Sequence, residues 1–243
     1  MFRHRRFASL TGLLVLGLLV AGLVGCSPVI EEVASTPAAG AEEVAPASTL
    51  EPVEESSITL VIPEDPPSFN AEIADNGYDA LVMELVLLGL TDLDPQGNIF
   101  PELAAELPTL ENGGVTVNEE EGTMDVTWKL RDSVVWADGE PVTVDDVIFT
   151  WAAITEPETG LWVAGVDYTD NLEKIDDHTF VVHYNSIYPG YLLQFGGEQF
   201  VVWPEHYCDA AQGFSAWDCA REPLSNGPYL LEEWQTGDHL TFV

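Results

Sequence analysis

The chain has 243 residues, which is enough to bury a substantial core and predicts one or two domains. It carries 7 Lys+Arg against 42 Asp+Glu, so its formal net charge is −35. Because proteins bind nucleic acid and anionic lipid headgroups through Lys and Arg, this balance excludes nucleic-acid binding. The acidity predicts solubility or, alternatively, an acidic recognition patch, and it does not set the fold.

Residues 1–25 have the three parts of an export signal: a basic start, an uncharged apolar run at residues 10–24, and small residues at the end. The run is short for a membrane-spanning helix, which needs roughly 20 apolar residues. Its end, Leu23-Val24-Gly25-Cys26, resembles the lipobox of bacterial lipoproteins. The resemblance implies that Cys26 becomes the lipidated N-terminus after cleavage. The alternative is an uncleaved signal anchor.

Two or three acyl chains on Cys26 would hold the protein on a membrane, either at the extracellular face or in the periplasm. Residues 26–57 are rich in Pro, Ala and Glu and lack apolar periodicity. Such a composition is typical of a solvated, disordered tether. We therefore expect an exported, lipid-anchored protein whose folded part begins at about residue 58.

The folded part should begin with a short strand at residues 58–62, which Pro63 ends. A rigid loop should follow, because its two prolines fix their φ angles. Loops on rigid sheets often carry binding groups, so this loop is a candidate site. Its residues are Glu64, Asp65, Pro66, Pro67 and Ser68.

The next elements are predicted from the spacing of apolar residues and from the proline and glycine residues that end helices and strands. Residues 75–90 predict a largely buried helix, and Leu93 predicts a strand that enters a turn. Residues 101–107 predict a short helix that Pro108 ends. A polar hairpin connection at residues 111–122 then leads into the most informative part of the chain.

Residues 126–151 predict a strand, a turn and a capped helix in succession. Apolar and polar residues alternate over residues 126–131, which is the period of a strand with one buried face. Asp138-Gly139 marks a turn. Thr143 can cap a helix, and Asp145 and Asp146 place negative charge at its first turn. The helix should bury one face formed by Val144, Val147, Ile148 and Trp151.

The remainder predicts a second pair of strands, the later one at residues 179–184, and buried segments around Gly196 and Gly197. Two final strands are predicted at residues 227–231 and 239–243. Because the chain stops inside a strand pattern, we expect it to be a fragment. Cys208 and Cys219 are either a disulfide, if the chain is exported, or two reduced thiols.

No enzyme pattern is present: the sequence has no Gly-rich phosphate loop, no Gly-x-Ser-x-Gly and no His-Glu-x-x-His. The five histidines are scattered, so we predict no metal site, no cofactor and no enzymatic activity. Asp145 and Asp146 are not a catalytic pair, because adjacent helical residues point about 100° apart. The tryptophans predict core positions, except Trp162 in a loop, which is a candidate wall of a cleft.

Several motifs together resemble the family 5 solute-binding proteins, the oligopeptide- and dipeptide-binding lipoproteins of ABC importers. The most specific one spans residues 128–149. The motifs are Trp128-Lys-Leu-Arg131, Val134-Val-Trp136, Asp138-Gly139, Pro141-Val142, Asp145-Asp146-Val147 with Phe149, Pro67-Ser-Phe-Asn70, Pro101-Glu-Leu-Ala104 and Ser225-Asn-Gly-Pro-Tyr229.

The resemblance implies a mixed α/β, type II periplasmic-binding-protein-like clamshell. Residues 58–243 would be its first lobe with an appended small α+β domain, and the second lobe would be absent. It further implies a monomer that binds a peptide ligand and delivers it to ABC permease subunits. On this chain we expect the ligand contacts at Glu64, Asp65, Pro66, Pro67, Ser68, Trp162, Gly196 and Gly197.

Two alternatives remain open at this point. The same fold could carry a nickel chelate, haem or an oligosaccharide. The protein could also be an anchored sensor or surface protein without a transport role.

Overall fold

The computed structural model describes residues 56–70, 77–197 and 200–243. Apart from the first two, these residues belong to one compact unit, Ile58–Val243. The predicted signal peptide, Cys26 and nearly all of the predicted tether lie outside the described residues and stay predictions. Among the helices that are described, none has the length and apolar character needed to cross a membrane.

The described part contains two α-helices, eight strands and several short 3₁₀ turns. All strand pairs are antiparallel, in sheets of order β1-β2, β3-β4-β6-β5 and β7-β8. The elements are α1 (Tyr78–Val86), β1 (Thr91–Leu93), β2 (Ile99–Pro101), β3 (Val115–Asn118), β4 (Thr123–Lys129), α2 (Val144–Ile154), β5 (Thr169–Lys174), β6 (Thr179–Tyr184), β7 (Leu231–Gln235) and β8 (His239–Phe242).

The four-stranded sheet confirms the predicted strands with one buried face. In β4, Val126 and Trp128 are fully buried while their neighbours are more exposed. In β6, Phe180 and Val182 are buried in the same way. Trp128 lies opposite Phe180 in the ladder and packs edge-on against Phe195, with ring centroids 6.3 Å apart. The predicted alternation therefore forms the core side of this sheet.

Helix α2 begins where the sequence predicts it, with a capping box that pairs Thr143 and Asp146. It continues to Ile154, which lies nearly one helical turn beyond Trp151. Its most buried face is lined by Val144, Val147 and Ile154, and Trp151 is only half-buried. The helix is therefore confirmed, and its buried face is rotated slightly from the predicted one.

Both acidic residues lie in the first turn of α2 as predicted, but their environments differ, and Asp146 also has partners beyond the helix start. Asp145 is exposed and pairs with Lys174 at 2.7 Å. Asp146 is only 4% exposed, and its carboxylate accepts three hydrogen bonds. The donors are the backbone N–H groups of Thr143 (2.9 Å) and Glu205 (2.9 Å) and the indole Nε1 of Trp136 (3.3 Å).

The predicted strand at residues 58–62 is not formed. Ile58, Leu60 and Val61 are exposed, and no ladder partner for this segment occurs within the described residues. β-Branched and apolar side chains favour a strand because they fit a half-buried pleated surface, and this segment has no such surface beside it. Propensity without a partner therefore does not produce a strand here.

The predicted short helix at residues 101–107 is also wrong, because neighbouring segments take up its backbone groups. The N–H groups of Glu102 and Ala104 both donate to the carbonyl of Leu90, at 2.9 and 3.1 Å. The N–H of Ala105 donates to the carbonyl of Lys129 at 2.8 Å. These bonds tie the segment to the start of β1 and the end of β4 and replace the i→i−4 bonds of a helix.

Strand β7 starts four residues later than predicted. The residues before it are used at the end of α1, where the N–H of Gly227 donates to Val86 and that of Tyr229 donates to Leu85. Helix ends leave carbonyls without intrahelical partners, and these bonds satisfy two of them. The segment at residues 225–229 therefore caps the C-terminal end of α1.

Glu102 gives a testable pH dependence. Its burial, together with the charges of Asp92 and Glu84, raises the pKa of the carboxyl from 4.5 to about 7. A pKa that is higher in the folded than in the unfolded state adds stability below pH 4.5, and this contribution is lost as the pH rises through 7. In wild type, the free energy of unfolding should therefore fall between about pH 5 and pH 8 as Glu102 ionises. In Glu102→Gln this fall should be absent.

Urea unfolding of both proteins at several pH values measures this difference. The exposed Glu158 provides the matched control, and Glu158→Gln should keep the wild-type slope. The same pH slope in Glu102→Gln as in wild type would show that this carboxyl is not the source.

Candidate functional site

Residues 63–70, called the first loop below, are fixed to the C-terminal part of the chain. Phe69 is fully buried and packs edge-on against Trp234 and Phe242, with ring centroids 5.4 and 6.3 Å away. Its N–H donates to the carbonyl of Ala220 at 2.8 Å. The side-chain amide of Asn70 donates to the carbonyl of Phe214 at 3.3 Å. The first loop is therefore held at its C-terminal end by both apolar packing and hydrogen bonds.

The predicted site residues of the first loop differ in their exposure. Glu64 and Pro67 are exposed, Asp65 and Ser68 are half-buried, and Pro66 is buried. A ligand can thus meet four of the five side chains directly, whereas Pro66 can act only through the shape of the backbone.

Two contacts hold the middle of this loop. The Asp65 carboxylate accepts from the backbone N–H of Gly237 in the β7–β8 turn. The carbonyl of Pro67 accepts from Nη1 of Arg221 at 2.7 Å. Arg221 is a residue that the sequence analysis missed. Arg221 lies outside the family motifs, and no sequence pattern around it indicates this contact.

The segment after Arg221 carries a second missed residue, Asn226. Its Oδ1 accepts from the N–H of Leu88 at 2.9 Å, which places it at the end of α1. Its Nδ2 is buried and has no partner within the described part of the chain. Asn226 belongs to the Ser-Asn-Gly-Pro-Tyr motif, and that motif was the only signal for it. Tyr229, in the same motif, has an exposed ring.

Gly196 and Gly197 have different structural roles. Gly196 is buried and forms a parallel bridge with Thr91. A Cβ at Gly196 would lie 2.0 Å from the carbonyl oxygen of Thr91, so only glycine fits this approach of two backbones. Gly197 has a φ of 63° and open space where a Cβ would be. Of the two predicted site residues, Gly197 is the one that a ligand can reach.

Trp162 is 80% exposed, and the described residues give it no hydrogen bond, ion pair or ring contact. It therefore has no such contact with the first loop. The core prediction is confirmed for four other tryptophans, which are buried: Trp128, Trp136, Trp203 and Trp217. An isolated exposed indole is consistent with a cleft wall but does not by itself make one.

Cys208 and Cys219 are joined in a disulfide with a Cα–Cα distance of 5.5 Å, and both are buried. Beside the disulfide lies an open cleft of about 480 Å³. The cleft is lined by Tyr207, Asp209, Gln212, Asp218, Cys219, Arg221 and Glu222. Within the described ranges no group of three or more His, Cys, Asp or Glu side chains is placed to hold a metal ion.

This architecture is that of the type II periplasmic binding proteins, as comparison with solved structures shows. The OppA of Haemophilus influenzae in complex with RPPGFSPFR aligns with a TM-score of 0.59 and 22% identity, over 74% of this chain and 36% of that one. NikZ from Campylobacter jejuni in complex with Ni(L-His) aligns with a TM-score of 0.58 and 22% identity, over 73% and 33%.

The chain belongs to the bacterial extracellular solute-binding proteins of family 5, whose family model matches residues 98–243. Among curated relatives, the periplasmic murein peptide-binding protein MppA of Escherichia coli is 23% identical over 208 residues. That alignment covers 78% of this chain and 36% of MppA. The chain thus spans about a third of the length of the curated relatives that it matches.

Proposed function

We propose that this protein is the substrate-binding component of an ABC importer and that it captures peptides outside the membrane. The observation that supports it most is the first loop, which is rigidly held while Glu64 and part of Asp65 stay accessible. A peptide carries an ammonium group at one end, which two nearby carboxylates attract. A relative named for murein peptides and a related structure with a bound nonapeptide point to the same ligand class.

The ligand would contact the exposed parts of the predicted site. These are the side chains of Glu64, Asp65, Pro67 and Ser68, the indole of Trp162, and the backbone at Gly197. Pro66 and Gly196 would contribute by fixing the backbone. A ligand bound between two lobes would favour the closed state, because only that state offers contacts from both sides.

The N-terminal sequence supports the proposed location of this binding step at the outer side of a membrane. Lipidation of Cys26 would hold the protein at a membrane, and residues 26–57 would serve as the tether to a folded domain that begins at residue 58. A monomer on such a tether could reach permease subunits in the same membrane and pass the peptide to them. Export would also favour the Cys208–Cys219 disulfide.

A second candidate ligand is a nickel chelate, because the NikZ structure with Ni(L-His) aligns as well as the peptide-bound one. In that case the protein would recognise the organic part of the chelate through hydrogen bonds. The described residues present no cluster that would bind the metal ion directly.

A thermal-shift screen of the full-length native protein tests the proposal. A peptide of two to eight residues, present at about 100 times its dissociation constant, should stabilise the folded state by roughly 2.7 kcal/mol. The N-acetylated form of the best peptide is the matched control, and it should stabilise less if the carboxylates bind the ammonium group. No shift with any peptide contradicts peptide binding, and a shift with Ni(L-His) alone favours the second candidate.

A further inference from the structure

Arg221 is one of two arginines in the described part of this acidic chain that form no ion pair. Only four Lys or Arg residues follow residue 25, and both lysines pair with carboxylates: Lys129 with Glu106, and Lys174 with Asp145 and Asp177. Within the described residues, Arg131 and Arg221 have no carboxylate partner and donate to backbone carbonyls. In a chain with 42 acids, Arg221 thus contacts a backbone carbonyl and an aromatic ring instead of a carboxylate.

The guanidinium of Arg221 joins the first loop to strand β7. Its Nη1 donates to the carbonyl of Pro67 at 2.7 Å, a hydrogen bond that the positive charge strengthens. The same group lies 4.0 Å from the ring centre of Trp234, which is a cation–π distance. Trp234 in turn contacts Phe69, so Arg221 and the apolar packing act on the same loop.

The Cys208–Cys219 disulfide constrains the segment that precedes Arg221. Cys219 immediately precedes Ala220 and Arg221, and the segment from Cys208 to Cys219 contains Phe214. Three residues of this region therefore bond to the first loop: Phe214 and Ala220 accept through their carbonyls, and Arg221 donates. A cross-link that closes this segment limits the conformations that these three groups can adopt.

We propose that Arg221, held in place by the Cys208–Cys219 disulfide, is a positioning residue that fixes the first loop in the conformation that binds ligand. The proposal rests on the proposed function, because it assumes that the first loop contacts the ligand. When only a fraction of molecules has the competent loop, the apparent affinity falls by that fraction. Ligand affinity should thus depend on Arg221 and on the disulfide through the first loop.

The test compares Arg221→Gln with Arg131→Gln in the full-length protein. Both arginines donate only to backbone carbonyls, but Arg131 contacts Ala104 and Pro101 and not the first loop. Arg221→Gln should weaken binding of the best peptide from the screen about tenfold, the value of one charge-assisted hydrogen bond. It should also speed hydrogen exchange of the Phe69 amide by a similar factor. Arg131→Gln should change neither.

Further variants separate positioning from general stability. Arg221→Lys keeps a positive charge and an N–H donor group and should recover part of the affinity. Cys208→Ser with Cys219→Ser should lose affinity to a degree similar to Arg221→Gln. Unchanged Phe69 exchange in Arg221→Gln would overturn the proposal, whether or not a ligand is found. Equal loss of affinity in both glutamine variants would overturn it as well. If wild type binds no peptide, the proposed function fails, and the exchange comparison still decides the role of Arg221.

Discussion

Asp146→Ala is expected to lower the unfolding free energy by about 4 kcal/mol, and Asp145→Ala by less than about 1 kcal/mol. The Asp146 carboxylate is buried and accepts from two backbone N–H groups and one indole. Its removal leaves all three donors without a partner in a site that water does not reach. Asp145 is exposed, and its ion pair with Lys174 is of the kind that contributes little.

Urea denaturation of the two variants side by side measures this difference. The positions are adjacent and the substitutions identical, so helix propensity and net charge change equally in both. Asp146→Asn should fall between the extremes, because its remaining oxygen can still accept a bond. Equal losses in Asp145→Ala and Asp146→Ala would contradict the assignment of Asp146 as the link between α2, Trp136 and Glu205.

Gly196→Ala is expected to destabilise the fold by about 4 kcal/mol or to prevent folding. The added Cβ would lie 2.0 Å from the carbonyl oxygen and 2.3 Å from Oγ1 of Thr91. Neither atom can move freely, because Oγ1 donates to the carbonyl of Leu192 at 2.7 Å and the backbone of Thr91 is part of β1. The two segments would have to separate.

Gly197→Ala is the matched control for this substitution. Its Cβ meets open space, so the only cost is the left-handed backbone, about 1 kcal/mol. Thermal unfolding of both variants, at equal protein concentration, gives the comparison. A Gly196→Ala protein as stable as Gly197→Ala would show that the bridge between residue 196 and Thr91 is not closely packed.

The parts of the fold that the sequence predicted correctly are those decided by local patterns. The alternation in β4 and β6 and the capping box of α2 each lie within a few residues, so their hydrophobic period and turn chemistry were sufficient. The wrong predictions concern segments whose structure depends on parts of the chain that are distant in sequence. Residues 101–107 have their backbone bonds to Leu90 and Lys129, and residues 58–62 have no partner strand within the described chain.

The candidate site shows the same division. The first loop was identified from its composition, but the contacts that hold it come from distant residues such as Arg221, which lies 154 residues away from Pro67. The Asp146 carboxylate accepts from the N–H of Glu205, 59 residues away, and the need for glycine at position 196 depends on Thr91. Such long-range contacts leave no periodicity in a single sequence, so only the folded structure reveals them.

The most direct test of the proposed site is photo-crosslinking of the full-length protein with a bound peptide that carries a benzophenone side chain. Mass spectrometry of the labelled protein then identifies the contacted residues. We expect saturable labelling that an unmodified peptide competes away and that, within this chain, includes residues 64–68. Labelling confined to the cleft beside the Cys208–Cys219 disulfide, or no saturable labelling at all, would contradict the assignment of the first loop as the ligand contact.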